Sequence, residues 1–169
     1  MSETFRGEYY QKVDSKARVL IPAVFRRVLE SGDVRTPESP RTRIVIVYGG
    51  KARKYCDCYS FERSEEIARE IAEFPQGSAQ RLKLERNLVT LSATIEIDDD
   101  GRIVLPPPVR EKLGLAPEMI RDGVEVTLSG TLDRFSLWRA DTYRIVHGLD
   151  DGEEDDEDPL TTLGRAKGA

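Results

Sequence analysis

Residues 14–29, DSKARVLIPAVFRRVL, align without gaps to residues 98–113, DDDGRIVLPPPVREKL, at an offset of 84. Five of the sixteen positions are identical: Asp14/Asp98, Arg18/Arg102, Pro22/Pro106, Arg26/Arg110 and Leu29/Leu113. The apolar triplet Val19-Leu20-Ile21 meets Ile103-Val104-Leu105. A weaker match follows, Tyr59-Ser60-Phe61 resembling Ser136-Leu137-Trp138. A motif carried twice requires two equivalent structural settings, and repetition of this kind means units that do not bury their apolar face alone. The chain therefore divides into copies at 5–74 and 92–148, joined by a connecting segment at 75–91.

Each copy reads alike. A strand (8–13, or 94–97 with Ile95 and Ile97 on one face) precedes four residues of turn type, Asp14-Ser15-Lys16-Ala17 or Asp98-Asp99-Asp100-Gly101, which is hairpin chemistry. An apolar strand follows and ends at Pro22 or Pro106, since proline cannot donate to a ladder and suits the first turn of a helix. Short helices are predicted at 23–30 and 107–114, stopping at Gly32 and Gly114. Strands at 44–48 with 55–61, and 124–128 with 134–138, complete the copies. Helices at 64–74 and 141–148 are predicted to begin at the N-caps Ser64 and Asp141. Within the connecting segment, Leu82, Leu84, Leu88 and Val89 suit one more short helix.

Four short strands and a small helix leave too many open edges to stand alone. Two copies can close on each other about a pseudo-two-fold axis as a small barrel. The expectation is an α+β fold with a mainly β core, which 169 residues suffice to build. No apolar run approaches the roughly 18 residues of a membrane span, and Met1-Ser2-Glu3-Thr4 lacks the plan of a signal peptide. A cytoplasmic protein with no membrane partner is expected.

The net charge of −5 is an average over two unlike parts. Segment 150–169 holds eight acids against Arg165 and Lys167, a net of −6, so residues 1–149 carry +1. Residues 1–27 hold six bases against three acids, and residues 35–54 six bases against Glu38 alone. The tail at 149–169 lacks aromatics and apolar periodicity, so it is predicted to be disordered. Its acids can compete with phosphate for nearby bases, or the tail can serve only to solubilise the chain.

Catalytic chemistry has little support. Cys56 and Cys58 are too few for a disulfide framework, and the single His147 cannot complete a zinc set with them. They read as small residues on one strand face, with a redox or metal pair as the alternative. Neither a G-x-x-x-x-G-K-[ST] loop nor a G-x-G-x-x-G turn is present, and no Ser or Cys occupies a recognisable nucleophile setting. No cofactor, metal, small-molecule substrate or enzymatic activity is expected. Asp98, Asp99 and Asp100 keep a metal-dependent hydrolase open as a third function class, although one turn is a poor metal site.

The Asp-x-x-x-Arg turn, preceded by a strand and followed by an apolar triplet and Pro, resembles the swapped-hairpin DNA-binding domain of the SpoVT-AbrB class. Two such units, opening with Phe5-Arg6-Gly7-Glu8-Tyr9 and running through Val13 to Pro22, resemble the MraZ family. The resemblance covers residue 5 to about residue 147. It implies a double-split β-barrel, assembly of subunits into a ring, and a nucleoid-associated transcriptional regulator. That regulator would repress its own promoter and the bacterial division and cell-wall gene cluster through repeated boxes of double-stranded DNA. Three features depart from the pattern: Ala17 stands where Gly101 keeps the usual glycine, the 32–42 loop is long, and the acidic tail lies outside the resemblance. If the turn requires positive φ, Ala17 is strained there.

The two turns differ in charge. Turn one has Lys12, Lys16 and Arg18 against Asp14; turn two has Arg102 against Glu96, Asp98, Asp99 and Asp100. Asp14 can orient Arg18 towards a base edge or phosphate, with Lys12 and Lys16 on phosphates. Arg6 either joins them or is a solvated terminal residue. For Arg102, ringed by carboxylates, a bridge to Asp98 that holds the turn is the stronger reading, since phosphate affinity requires positive potential. Besides the DNA-binding regulator, an antitoxin-like or other protein-binding module on the same barrel remains open.

Overall fold

The computed structural model describes residues 3–148 and 158–165. The sixfold sheet comprises β1 (Glu8–Lys12), β3 (Arg43–Val47), β4 (Cys56–Ser60), β5 (Ser92–Glu96), β7 (Glu125–Gly130) and β8 (Phe135–Arg139). It is antiparallel throughout, in the order β1-β7-β8-β4-β3-β5. Strands β2 (Arg18–Leu20) and β6 (Arg102–Val104) form a separate ladder with each other. Replacing each strand by its repeat equivalent reverses the sheet order, so a pseudo-two-fold axis passes between β4 and β8. The ladder obeys the same axis, centred on the pair Val19↔Ile103.

Exchange between copies explains why the repeat exists. β1 pairs only with β7, and β5 only with β3, so each copy supplies an edge strand to the other's sheet. The two turns close as hairpin turns do: Ala17 N–H donates to the Asp14 carbonyl at 2.9 Å and Gly101 N–H to that of Asp98 at 3.0 Å. Beyond them the strands part instead of pairing. Ile21 N–H donates to the Gly101 carbonyl (2.9 Å) and Leu105 N–H to that of Ala17 (2.8 Å), both across copies. The expected simple hairpins are therefore swapped. The sheet order is open, with β1 and β5 at its ends. No pairing among the described residues closes the expected barrel: β2 and β6 pair with each other and with no strand of the sixfold sheet.

The inner sheet face, the buried side of the ladder and the short helices enclose one core, in which Phe5, Phe25 and Phe135 meet with ring centroids 4.8–5.5 Å apart. Helix α1 (Ala23–Ser31) follows Pro22 and buries Phe25, Val28 and Leu29 at helical spacing. Its repeat equivalent α4 spans Pro107–Lys112. The connecting segment forms α3 (Ala79–Leu84) and a π-helical turn, Glu85–Thr90. Helix α5 (Pro117–Asp122) was not anticipated; Pro117 opens it, and only Ile120 is buried.

Two cap assignments change. Helix α2 runs Phe61–Ala72 and is capped by Ser60, whose side chain accepts from Arg63 N–H at 3.2 Å, while Ser64 donates back to the Phe61 carbonyl. Strand β4 feeds the helix directly, so the cap falls on the strand's last residue rather than on Ser64. Helix α6 (Ala140–Val146) begins before Asp141, which instead accepts from Thr142 N–H and pairs with Arg139 at 2.6 Å. Of the expected disordered tail, residues 149–157 and 166–169 lie outside the described residues. Residues 159–165 form α7 (Pro159–Arg165), which buries no side chain. No helix among the described residues is long and apolar enough to cross a membrane.

Candidate nucleic-acid interface

The short β2–β6 ladder has two unlike faces. Val19 and Ile103 point into the core and are fully buried. Arg18, Leu20, Arg102 and Val104 share the opposite face, paired Arg18↔Val104 and Leu20↔Arg102. Val104 is 52% exposed, although it lies within an apolar triplet. Arg18 and Arg102 are thus diagonal neighbours on a two-stranded ribbon, a relation that places Cα atoms about 7–8 Å apart. The turns lead into this ribbon from its two ends.

In turn one, Asp14 organises the backbone and the cation together. Its Oδ1 accepts from Lys16 N–H (2.9 Å) and Arg18 N–H (2.8 Å), and its Oδ2 accepts from Arg18 Nε at 2.7 Å. Partial burial acts to raise the Asp14 carboxyl, but the N–H and guanidinium of Arg18 and the N–H of Lys16 outweigh it and hold it below its usual range. Among the described residues only Nε of the Arg18 guanidinium is engaged, which leaves both Nη groups for a ligand. Lys12 and Lys16 are exposed and make no ion pair among the described residues. Arg6 is exposed as well, its Nε on Thr4 Oγ1 at 2.9 Å.

Turn two repeats the backbone half of this arrangement and omits the side-chain half. Asp98 Oδ1 accepts from Asp100 N–H (2.9 Å) and Arg102 N–H (3.0 Å). The Arg102 N–H, against partial burial and aided by the Asp100 N–H, holds the Asp98 carboxyl below its usual range; the charge of Arg18 contributes more than that of Arg102. The side-chain bridge expected from Arg102 to Asp98 is absent: among the described residues the Arg102 guanidinium has neither ion pair nor hydrogen bond. Asp99 is met from the long loop instead, by Arg41 at 3.5 Å. Turn two therefore holds its shape through backbone bonds, and Arg102 points outward like Arg18.

The turns also differ at their left-handed position. Gly101 has φ +81° and Ala17 φ +60°, so alanine does occupy the strained conformation in turn one. A Cβ at residue 101 would overlap the guanidinium of Arg26, whose Nη1 donates to the Ile21 carbonyl at 3.1 Å. Arg110, the repeat equivalent of Arg26, makes no such bond and has a buried Nε without a partner. The identity Arg26/Arg110 was the available signal for this support of turn two. Arg41 carried no signal, because its partner lies 58 residues away.

No group of three His, Cys, Asp or Glu converges among the described residues, Asp98–Asp100 included. Cys56 and Cys58 are free and buried on the core face of β4, where burial pushes the Cys56 thiol up to about 12. An unreactive packing role accords with both.

Comparison with known proteins adds the family. The family model described as "MraZ protein, putative antitoxin-like" matches residues 88–159. A Cereibacter sphaeroides protein named transcriptional regulator MraZ is 52% identical over 143 residues, covering 85% of this chain and 84% of the relative. One of the same name from a Ruegeria species is 42% identical, the two covered in full, and one from a Roseiflexus species is 32% identical over 84% of this chain and 85% of its own length.

Proposed function

The chain belongs to the MraZ family, and from that premise we propose that it is a DNA-binding transcriptional regulator and not an enzyme. The observation that supports this best is the outward ribbon, with the Nη groups of Arg18 free and the Arg102 guanidinium unengaged. A two-stranded ribbon fits the major groove, where arginine reads guanine bidentately through O6 and N7. In this reading Arg18 and Arg102 make the base or phosphate contacts, Asp14 and Asp98 hold their turns, and Lys12, Lys16 and Arg6 contact phosphates. Arg41, 3.5 Å from Asp99, adds a cation to the acidic turn near Arg102.

The functional unit is a pair of modules, 5–74 and 92–148, linked by 75–91 and followed by the acidic tail 149–169. The ladder lying over the sixfold sheet is read as the family's double-split barrel. One ribbon makes few contacts, and few phosphate contacts give weak binding at physiological salt. We therefore place the protein on DNA as a ring-shaped oligomer on repeated promoter boxes, where effective concentration multiplies affinity. It acts there as a nucleoid-associated cytoplasmic repressor of its own promoter and of the division and cell-wall gene cluster. The test is binding of the chain's own upstream duplex over a salt series. Affinity that falls steeply with salt and exceeds that for a scrambled duplex supports the reading. The description of the matched family supports a second reading, an antitoxin-like protein-binding module, which the absence of any salt-dependent DNA binding would favour.

A further inference from the structure

Strand registers place a second basic surface at the same end of the sheet as turn one. Lys12 lies opposite Glu125, Val126 opposite Arg139, Cys56 opposite Leu137, and Val47 opposite Asp57. The end of β1, which leads into turn one, therefore shares a sheet end with the 48–55 loop between β3 and β4. Turn two follows Glu96, opposite Arg43, and lies at the other end.

The 48–55 loop is held firmly. Gly50 N–H donates to Asn87 Oδ1 at 3.1 Å, and Lys112 Nζ donates to the Gly50 carbonyl at 2.6 Å. Gly49 lies flush on the π-helical turn, where a Cβ would overlap the Asn87 backbone. This docking brings the loop that carries Lys51 and Lys54 against the segment that carries Lys83 and Arg86; Lys83 lines one groove with Gly50, Arg53 and the apolar Phe74, Leu84 and Leu88. Lys51, Lys54, Lys83 and Arg86 are all exposed, and none makes an ion pair among the described residues. These four cations, without an ion pair among the described residues, stand on a fixed platform that includes a π-helical turn of the kind frequent at functional sites.

We infer that Lys51, Lys54, Lys83 and Arg86 form a second contact surface for the DNA phosphate backbone, extending the one at turn one. The inference rests on the DNA-binding reading above. Helix α4 joins the two surfaces, since it follows Leu105, bonded to Ala17 of turn one, and its Lys112 reaches Gly50. Four strand spacings separate β1 from β3, about 19 Å along the sheet at roughly 4.8 Å each. The loop joins β3 to β4, three to four spacings from β1, which along the sheet is more than the ~12 Å width of the major groove, so in this inference the patch meets a different phosphate row from Lys12 and Lys16. Phosphate contacts position a protein without reading sequence.

The test compares the full chain with the pairs Lys51→Ala/Lys54→Ala and Lys83→Ala/Arg86→Ala, using the upstream duplex and a scrambled duplex. Each pair is expected to weaken binding to both duplexes by the same factor, with unchanged melting. The slope of log affinity against log salt should become shallower by about 0.9 for each phosphate no longer neutralised. If the unaltered chain binds and both pairs keep its slope, the second surface is refuted while the DNA reading stands; a patch that receives an acidic protein segment gives this result. If the unaltered chain binds neither duplex, the DNA reading fails and this inference falls with it.

Discussion

Gly101 and Arg26 occupy one space: the glycine of turn two lies directly against the guanidinium of a helix in the other copy. Ile21 ties them together, donating its N–H to the Gly101 carbonyl and accepting from Arg26 Nη1 at its own carbonyl. Residue 101 has positive φ, and a Cβ there would displace the flexible end of Arg26, whereas turn one tolerates Ala17 at φ +60°.

Gly101→Ala should therefore cost about 1–3 kcal/mol through backbone strain and displacement of Arg26. Combined with Arg26→Ala, the loss should be smaller than the sum of the single losses, because the overlap is gone. Ala17→Gly should be near neutral, relief of about 1 kcal/mol of left-handed strain being offset by removal of a buried methyl worth about 0.8 kcal/mol. Urea denaturation of the four variants measures all of this, and additive losses at 26 and 101 would show that the two residues do not compete.

Arg18→Ala should weaken promoter binding by about 1–3 kcal/mol, roughly five- to 150-fold, if the arginine forks onto a base. Stability should fall by about 1 kcal/mol or less, since the Asp14 pair is partly exposed and Asp14 keeps two backbone donors. Arg18→Lys, which cannot fork, should recover the salt dependence but little of the sequence preference. Competition between specific and scrambled duplexes reads out the difference.

Arg102→Ala should lower DNA affinity while leaving the melting temperature essentially unchanged, because among the described residues the guanidinium makes no hydrogen bond or ion pair and only a minor charge contribution at Asp98. The charge pattern of turn two alone leads to the opposite expectation, a stabilising role. Melting curves and promoter affinity on the same variant decide it: a lowered melting temperature with unaltered affinity would return Arg102 to a structural role.

Acid should expose the two turn carboxylates. Asp14 and Asp98 have folded-state pKa values depressed below the ordinary 3.8. Their contribution to stability is thus fully present above the unfolded value and lost as pH falls through the lower folded value. Asp14→Asn and Asp98→Asn should therefore lose less stability than the unaltered chain between about pH 4 and pH 2. Denaturation at a series of acid pH values checks this, and parallel acid limbs in variants and parent would contradict it.

The repeat makes much of this architecture legible in the sequence. Asp14, Arg18 and Pro22 with their counterparts marked both turns, both apolar triplets and the helices behind them, because turn chemistry and proline geometry act within a few residues. Strand positions came within a residue or two for the same reason. The sequence did not disclose which strands pair. A turn at 14–17 is compatible with a local hairpin, and only the shared core makes β2 pair with β6 and sends β1 to β7. Arg102 shows the same limit at a single side chain. Four nearby acids suggested a bridge, yet Asp98 is occupied by two backbone N–H groups and Asp99 by Arg41, 58 residues distant. Local residue types set which turns and helices can form, whereas strand exchange and the partners of charged groups follow from long-range packing, because a hydrogen bond or ion pair depends on distance in space and not on separation along the chain.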